Sequence, residues 1–481
     1  MPLASVAPTA HDRFRSGLRR LVARAAAPAC AIAALLTLAC AREPVAPEAG
    51  APIVIVVVDT LRADGLGVYG YRRETSAELD DWAERGAVFE HAFTTAPWTL
   101  PSVASLFTGR YPAAHGSGRA KIPVADGRSR RVFVSLDPSV PRLAAILSAA
   151  GYDTAAFVTN TFLRPGFGLT DGFDTYDHER NRSVGKRRAD VMVDRALAWI
   201  DERAPDTPWF LVLHLLDPHQ PYDPPPVSAG RFTGDYRGAL ESPIGPESGL
   251  VRRVKRGVIE LDAADRAFVR AVYDEEVAFV AEQTARLLDG LAERRVLDRG
   301  LVLLTADHGE EFFDHGALEH GHTLYQELLR VPFVFWGRGV RAGSRAEPVS
   351  LVDVVPTILE AIGMPSPAGV DGVSLWPLLA DRGEAGASRV LIAENSLYGH
   401  QRRAVIEWPW KLIVNVERPD VALYHLERDP EEREDLAAAH PEIVARLEAA
   451  LDERAPPALE QAPVELDAET RRELRALGYL R

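Results

Sequence analysis

Four side chains of this chain are of the types that hold a divalent cation and raise an oxygen nucleophile beside it. Asp59 ends the apolar run Ile53-Val-Ile-Val-Val-Val58. Asp307-His308 ends a second run, Leu301-Val-Leu-Leu304, continued by Thr305-Ala306. Carboxylates are hard oxygen ligands and imidazole is a borderline nitrogen ligand, so Asp59, Asp307 and His308 are read as metal ligands. Thr99 is the fourth. It stands where the chain enters a helix, with Pro101 in the first turn and Gly109 at the close. A helix start offers free N–H groups and the positive end of a dipole to an anion. A hydroxyl there, joined to the cation as a further ligand, has a lowered pKa and becomes a nucleophile. The chemistry implied is attack on an anionic ester, with the developing charge held by the cation and flanking donors.

Two histidines suit the remaining roles. His219, in Asp217-Pro-His-Gln-Pro-Tyr222, is read as binding the ester oxygen or protonating the leaving group. His322, in Glu319-His-Gly-His-Thr-Leu-Tyr325, is read as doing the same from the other side. Asn160 is a further candidate, whereas His214, inside the apolar run 209–216, reads as core. One divalent ion is expected: Ca²⁺ suits the carboxylates, and the histidine shifts preference toward Mn²⁺ or Zn²⁺.

The elements that must position these residues are continuous apolar runs of the kind found in buried parallel strands: 53–58, 154–158, 209–216 and 301–304. Helix-period segments at 73–86, 140–150, 186–203 and 263–293 alternate with them. The expected fold is α/β, a central mostly parallel sheet sandwiched by helices. A single Asp after a strand is commonly a turn or helix cap. Three strands ending in Asp, two of them adding His, point instead to one site beyond the carboxyl edge of the sheet. From about 385 the pattern changes to hairpin-like strands (402–414, 422–426) and a helix at 440–453, a small C-terminal antiparallel subdomain. Segments 118–135, rich in Arg and Lys, and 223–258, rich in Pro, Gly, Ser and Arg, read as surface loops that set recognition.

The formal charge of −14 over 481 residues argues against nucleic acid as a partner, so an anionic substrate must be drawn by a local positive site. The two cysteines, Cys30 and Cys40, leave the folded body without a disulfide or a thiol for catalysis. Arg13, Arg15, Arg19, Arg20 and Arg24 precede the short apolar stretch 31–39 and form an export signal. Leu38-Ala39-Cys40, followed by the Pro/Ala/Glu-rich stretch 41–52, resembles a bacterial lipoprotein cleavage box, with Thr37 a departure. The division expected is a signal at 1–39, a linker at 40–52, a catalytic domain at 53–384 and the C-terminal subdomain at 385–481. The location expected is the bacterial cell envelope, with a membrane contact only through lipid on Cys40.

Ala-Pro-Trp-Thr-Leu-Pro-Ser-Val-Ala-Ser-Leu-Phe-Thr-Gly-Arg-Tyr-Pro (96–112) resembles the nucleophile segment of the sulfatase family, in the alkaline phosphatase superfamily. Asp307-His-Gly-Glu-Glu-Phe312, Leu328-Leu-Arg-Val-Pro-Phe333, Val352-Asp-Val-Val-Pro-Thr357, Trp410-Lys-Leu-Ile413 and Leu423-Tyr-His-Leu-Glu-Arg-Asp-Pro-Glu-Glu432 extend the likeness over about 50–480. The resemblance implies a metal-dependent hydrolase of sulfuric or phosphoric esters. The chain departs from the family pattern at the chemistry. The family's nucleophile is Cys or Ser oxidised to formylglycine, and here it is Thr99, whose oxidation would give a ketone. The second Asp after the first strand is Thr60, the supporting Arg is Val103, the family's Asp-Asn metal pair is Asp307-His308, and the usual Lys is His322. The Asp/Thr/Asp/His set is more similar to the single metal site of phosphoethanolamine transferases and lipoteichoic acid synthases. A second ion held by Asp217, His219 and His322, as in nucleotide pyrophosphatases, is an open alternative. From another functional class, a non-catalytic anion- or glycan-binding lipoprotein on a degenerate scaffold is the rival reading. It predicts piecemeal loss of ligands, against the retention of Asp59, Asp307 and His308.

Overall fold

Residues 46–481 form one compact unit. The computed structural model describes them apart from 124–128, 179–185, 205, 247, 384–388, 455–462, 478 and 481, so the expected signal and Cys40 lie outside the described residues. The β-branched run Ile53–Val58 forms β1, buried at every position. It is followed by β2 (Ala87–Phe89), β3 (Asp153–Phe157), β4 (Thr175–Asp177), β5 (Trp209–Leu215), β6 (Leu301–Ala306), β7 (Phe333–Gly337) and β8 (Gly343–Arg345). These make an eight-stranded sheet in the order β8-β2-β7-β6-β1-β5-β3-β4. It is mostly parallel, with β7 antiparallel to both its neighbours.

The register places the chemistry. β1 lies between β5 and β6, with Val58 opposite Leu215 on one side and Ala306 on the other. Asp59 and Asp307 therefore leave the sheet side by side at its carboxyl edge, where ligands bind in open α/β sheets.

The helices fall into two packed groups. One holds α1 (Ala77–Ala83), α4 (Ala189–Asp201) and α5 (Ala263–Glu293); the other holds α2 (Thr99–Thr108), α3 (Leu143–Ala149) and α6 (Val354–Ala361). β1, β5 and β6 are buried along their whole length, so both faces of the sheet are covered. Each Val, Ile or Leu removed from water there contributes roughly 1.5–3 kcal/mol before conformational entropy is set against it.

The 31-residue α5 starts at Asp262, whose carboxylate accepts the Asp265 N–H at 2.8 Å. Asp262→Ala is expected to cost about 1 kcal/mol, read as a lower denaturant midpoint at unchanged slope. α5 also buries acids that anchor other segments. Glu275 accepts the Phe232 and Thr233 N–H groups at 2.8 and 3.0 Å, which ties the 223–258 excursion to the body. Glu276 meets Lys186 at 2.6 Å, and burial, opposed by that lysine, pushes its carboxyl up to about 7.

β9 (Val390–Glu394), β10 (Arg402–Glu407), β11 (Trp410–Asn415) and β12 (Val421–His425) form the C-terminal antiparallel sheet. Leu447 and Leu451 of α7 (Pro441–Asp452) pack on its Val405, Leu412 and Leu423. The chain from α7 onward is described at 463–477, which includes α8 (Ala468–Ala476), and at 479–480. The segment 118–135, read as a loop, is instead a two-stranded ribbon, Gly118–Pro123 against Ser129–Val134. Its alternate Arg and Lys side chains masked the strand signal. No helix among the described residues is long and apolar enough to cross a membrane.

Candidate active site

Thr99 is the first residue of α2, placed there by the extended Trp98 before it. The helix start is pinned to the end of β6 by Ser102, whose hydroxyl donates to the Asp307 carbonyl at 2.5 Å. Asn160, just after β3, donates its amide to Asp59 Oδ2 at 2.6 Å and to Thr99 Oγ1 at 3.1 Å, and its own Oδ1 accepts the Phe162 N–H. His308 Nε2 lies 3.4 Å from Thr99 Oγ1, 3.6 Å from Asp59 Oδ1 and 3.5 Å from Asp307 Oδ2. Asp59, Thr99, Asp307 and His308 are therefore gathered at one point. Each is 0 % exposed.

The polar accounting of this cluster is unbalanced. Asp59 Oδ1, Asp307 Oδ2 and both nitrogens of His214 are buried without a hydrogen-bond partner. His308 Nδ1 faces the Gly309 carbonyl at 2.9 Å and must donate to it. That leaves Nε2 able to turn a lone pair to a cation held beside the two carboxylates, which only accept. Burial, and then the neighbouring Asp307, push the Asp59 carboxyl well above the usual carboxylate range. A pocket of acceptors that lacks donors fits a cation, and a metal-ligating histidine ordinarily gives its other N–H to a carbonyl in this way. Asp59, His214 and Asp307 are also the one group of three ligating side chains among the described residues whose donor atoms all lie within 4.8 Å of one another. His214, read as core, is indeed buried in β5, yet its Nε2 is 3.7 Å from Asp59 Oδ2. Burial lowers its imidazole to about 4, which keeps it neutral and able to ligate.

Thr60, where the family has a second Asp, adopts φ 59°. That conformation is rare for a β-branched residue and is held by Asp307 Oδ1 on its N–H and by the Tyr273 hydroxyl on its carbonyl.

His219 comes to the site. Its Nδ1–H donates to the Gln220 carbonyl at 2.5 Å, and its Nε2 accepts the Tyr479 hydroxyl at 2.7 Å. His322 does not contact Thr99 or the carboxylates. Its Nε2 pairs with Glu311 at 2.7 Å, and it lines a cavity of about 770 Å³. The histidine that faces the site is His320. Its ring lies 4.5 Å from that of His308, its Nδ1 is 2.9 Å from Glu310, and its Nε2 is 3.2 Å from Tyr479 Oη. Gly321, at φ 83°, turns the chain between the two histidines, which meet different acids, Glu310 and Glu311. Asp217 accepts the first N–H of α4, that of Ala189, at 2.9 Å. Asp217, His219 and His322 thus have three unrelated sets of partners and do not assemble the second-ion site.

Tyr479 was not singled out in the sequence, and its hydroxyl lies against Thr99 as well as the two histidines. Burial and then Asp59 push its phenol well above the usual range, so it stays protonated.

The family model for sulfatases matches residues 52–364, and that for the C-terminal part of N-sulphoglucosamine sulphohydrolase matches 313–456. An arylsulfatase of Clostridium perfringens is 24% identical over 445 residues, covering 79% of this chain and 89% of the relative. Among solved structures, a 2-O GAG sulfatase superposes with a TM-score of 0.68 at 20% identity, covering 89% of this chain and 96% of its own. The phosphonate monoester hydrolase of Agrobacterium radiobacter superposes with a TM-score of 0.63 at 18% identity, covering 85% and 94%. With two thirds of its length matched by one family model and its fold shared with ester hydrolases, the chain belongs to the sulfatase family, ester hydrolases of the alkaline phosphatase superfamily.

Proposed function

We propose that this protein is a metal-dependent hydrolase of sulfuric or phosphoric esters that uses Thr99 as its nucleophile, with chemistry better suited to phosphoesters. The observation that carries the reading is the Thr99 hydroxyl, buried at the head of a helix within 3.1 Å of Asn160 and 3.4 Å of His308, beside two carboxylates. Asp59, Asp307, His308 and His214 would hold the ion. Once bound, a divalent cation supplies Lewis acidity that lowers the hydroxyl pKa and offsets charge on the ester. Thr99 Oγ then forms a bond to the central phosphorus or sulfur as its own proton is released to solvent and the bond to the leaving oxygen breaks. His219 and His320 aim their Nε2 atoms at one point, where the leaving oxygen takes its proton. Water next attacks the Thr99 ester, releases the inorganic anion and restores the hydroxyl. A transferase would admit an acceptor alcohol instead.

The tilt toward phosphoesters follows from the nucleophile. A formylglycine hydrate has a second hydroxyl through which it can expel sulfate by elimination. Thr99 has none, so its ester must be opened by direct attack, a route that suits phosphoryl groups. The test is an assay of residues 46–481 on aryl sulfate, phosphate monoester, phosphodiester and phosphonate ester, each with Mn²⁺, Zn²⁺ or Ca²⁺. Phosphoester turnover above sulfate turnover is the expected result, and faster sulfate turnover refutes the tilt.

Asn160 orients Thr99 and Asp59 together. Asn160→Ala is expected to lower metal affinity or turnover by about 10–100-fold, measured by calorimetric titration and by kcat. The basic and apolar stretches at 13–39 and Cys40 support an exported, lipid-anchored protein of the bacterial envelope.

A further inference from the structure

The catalytic cluster is sealed by the chain's own C-terminal strap, the described residues 463–477 and 479–480. Val464 donates its N–H to the Phe133 carbonyl at 2.9 Å and so fixes the start of the strap on the ribbon 118–134. α8 then runs over the segment after β3. Its Glu473 pairs with Arg164 at 2.8 Å and accepts the Thr161 hydroxyl at 3.3 Å, while Leu474 and Leu477 are buried. Gln220, next to His219, donates to the Leu477 carbonyl at 3.4 Å. These anchors deliver Tyr479 onto the Phe162 ring, at 4.6 Å between centroids, with its hydroxyl among His219, His320 and Thr99.

The hydrogen-bond senses are fixed by the neighbours. His219 Nδ1 is committed as a donor to a carbonyl, so its Nε2 can only accept and takes the Tyr479 proton. The phenol has no second proton, so His320 donates its single N–H from Nε2 to Tyr479 Oη, and Glu310, whose carboxyl is pushed well above the usual range by burial, donates to His320 Nδ1. An aryl-alcohol oxygen thus accepts from one imidazole and donates to the other, within reach of the Thr99 hydroxyl. A newly released alcohol product would make the same bonds. Arg475 and Leu480 of the strap also form part of the wall of the 770 Å³ cavity, together with Arg252, Arg256 and the Lys255–Glu319 pair. That wall is basic, as an approach for an anionic ester would need to be.

We propose that the C-terminal strap is a tethered competitor of substrate, with Tyr479 occupying the place of the leaving alcohol, so that an ester reaches Thr99 only by displacing it. This rests on the reading of Thr99, His219 and His320 as the reactive centre. Its effect belongs to KM rather than to kcat, because the strap competes with bound substrate and is absent from the productive complex.

The experiment compares the full chain with Tyr479→Phe and Tyr479→Ala, using 4-nitrophenyl sulfate and 4-nitrophenyl phosphate with Mn²⁺. Both variants are expected to lower KM at least about fivefold with kcat little changed, as expected when a competing state is removed. An unchanged or higher KM in both variants overturns the proposal, as does a fall in kcat at constant KM, which would make the phenol part of the reaction itself. A second measurement does not need turnover: amide hydrogen exchange across 468–477 in the wild type, with Mn²⁺ and either 4-nitrophenyl ester. Faster exchange on adding ester supports displacement of the strap, and unchanged exchange with both esters overturns it. A wild type whose strap opens on adding ester without turnover would refute the catalytic reading while still showing that ester displaces the strap.

Discussion

Thr99→Ala is expected to lower kcat by on the order of 10³- to 10⁶-fold while the fold survives, the scale set by removing the nucleophile of a covalent mechanism. The side chain is small and buried, and the helix start it occupies is held by Ser102 on the Asp307 carbonyl and by the Thr94–Ser102 hydroxyl pair at 2.7 Å, neither of which involves Thr99. Thr99→Ser keeps the hydroxyl and should retain most of the activity, which separates loss of the nucleophile from loss of packing. A phosphoester substrate quenched in acid should leave an adduct on the peptide holding residue 99 in the wild type and none in Thr99→Ala, checked by mass spectrometry. Turnover that persists in Thr99→Ala, with sulfate or with phosphate, would remove Thr99 from the mechanism. If neither wild type nor variant turned over any ester and the purified chain held no metal, the binding-lipoprotein alternative would gain.

What the residues disclosed in advance has a physical pattern. Asp59, Asp307 and His308 were legible because they end buried strands, and the carboxyl edge of a parallel sheet is where such residues meet. The helix at 263–293 and the C-terminal hairpins followed from hydrophobic period. His214 was not legible: an imidazole inside a continuous apolar strand looks like core, and only the parallel pairing of β5 with β1 brings it to Asp59. The available signal was a lone polar residue near the carboxyl end of such a strand. His320 and His322 share one motif, and the choice between them is made by the left-handed turn at Gly321. Tyr479 lies 380 positions from Thr99 in the sequence, so no local pattern could join them. Asn160 carried little signal in the sequence, because an amide after a strand caps turns more often than it serves a site. Its two donated bonds, to Asp59 and to Thr99, put it in the site.

The second large effect concerns the cation, and its sign changes with metal. Without an ion, Asp59 and Asp307 bring two buried carboxylates together, with acceptors left unpaired on both. Bound metal should therefore stabilise the chain, by about 2.7 kcal/mol at a free concentration 100 times the dissociation constant. Asp59→Asn keeps an oxygen to accept the Asn160 amide and deletes one of the two facing charges. In chelator the variant should be as stable as the wild type or more so, since a buried charge facing its like is unfavourable. In saturating Mn²⁺ the order should reverse, because the variant has lost a ligand and with it most of the metal-linked stabilisation. Thermal unfolding of both proteins with EDTA and with Mn²⁺ reads this crossing directly. Parallel curves, in which metal shifts wild type and Asp59→Asn equally, would show that the ion binds elsewhere and that the facing carboxylates serve another purpose. The crossing depends on charge and coordination at Asp59 alone. It therefore tests the metal site without reference to which ester the enzyme cleaves.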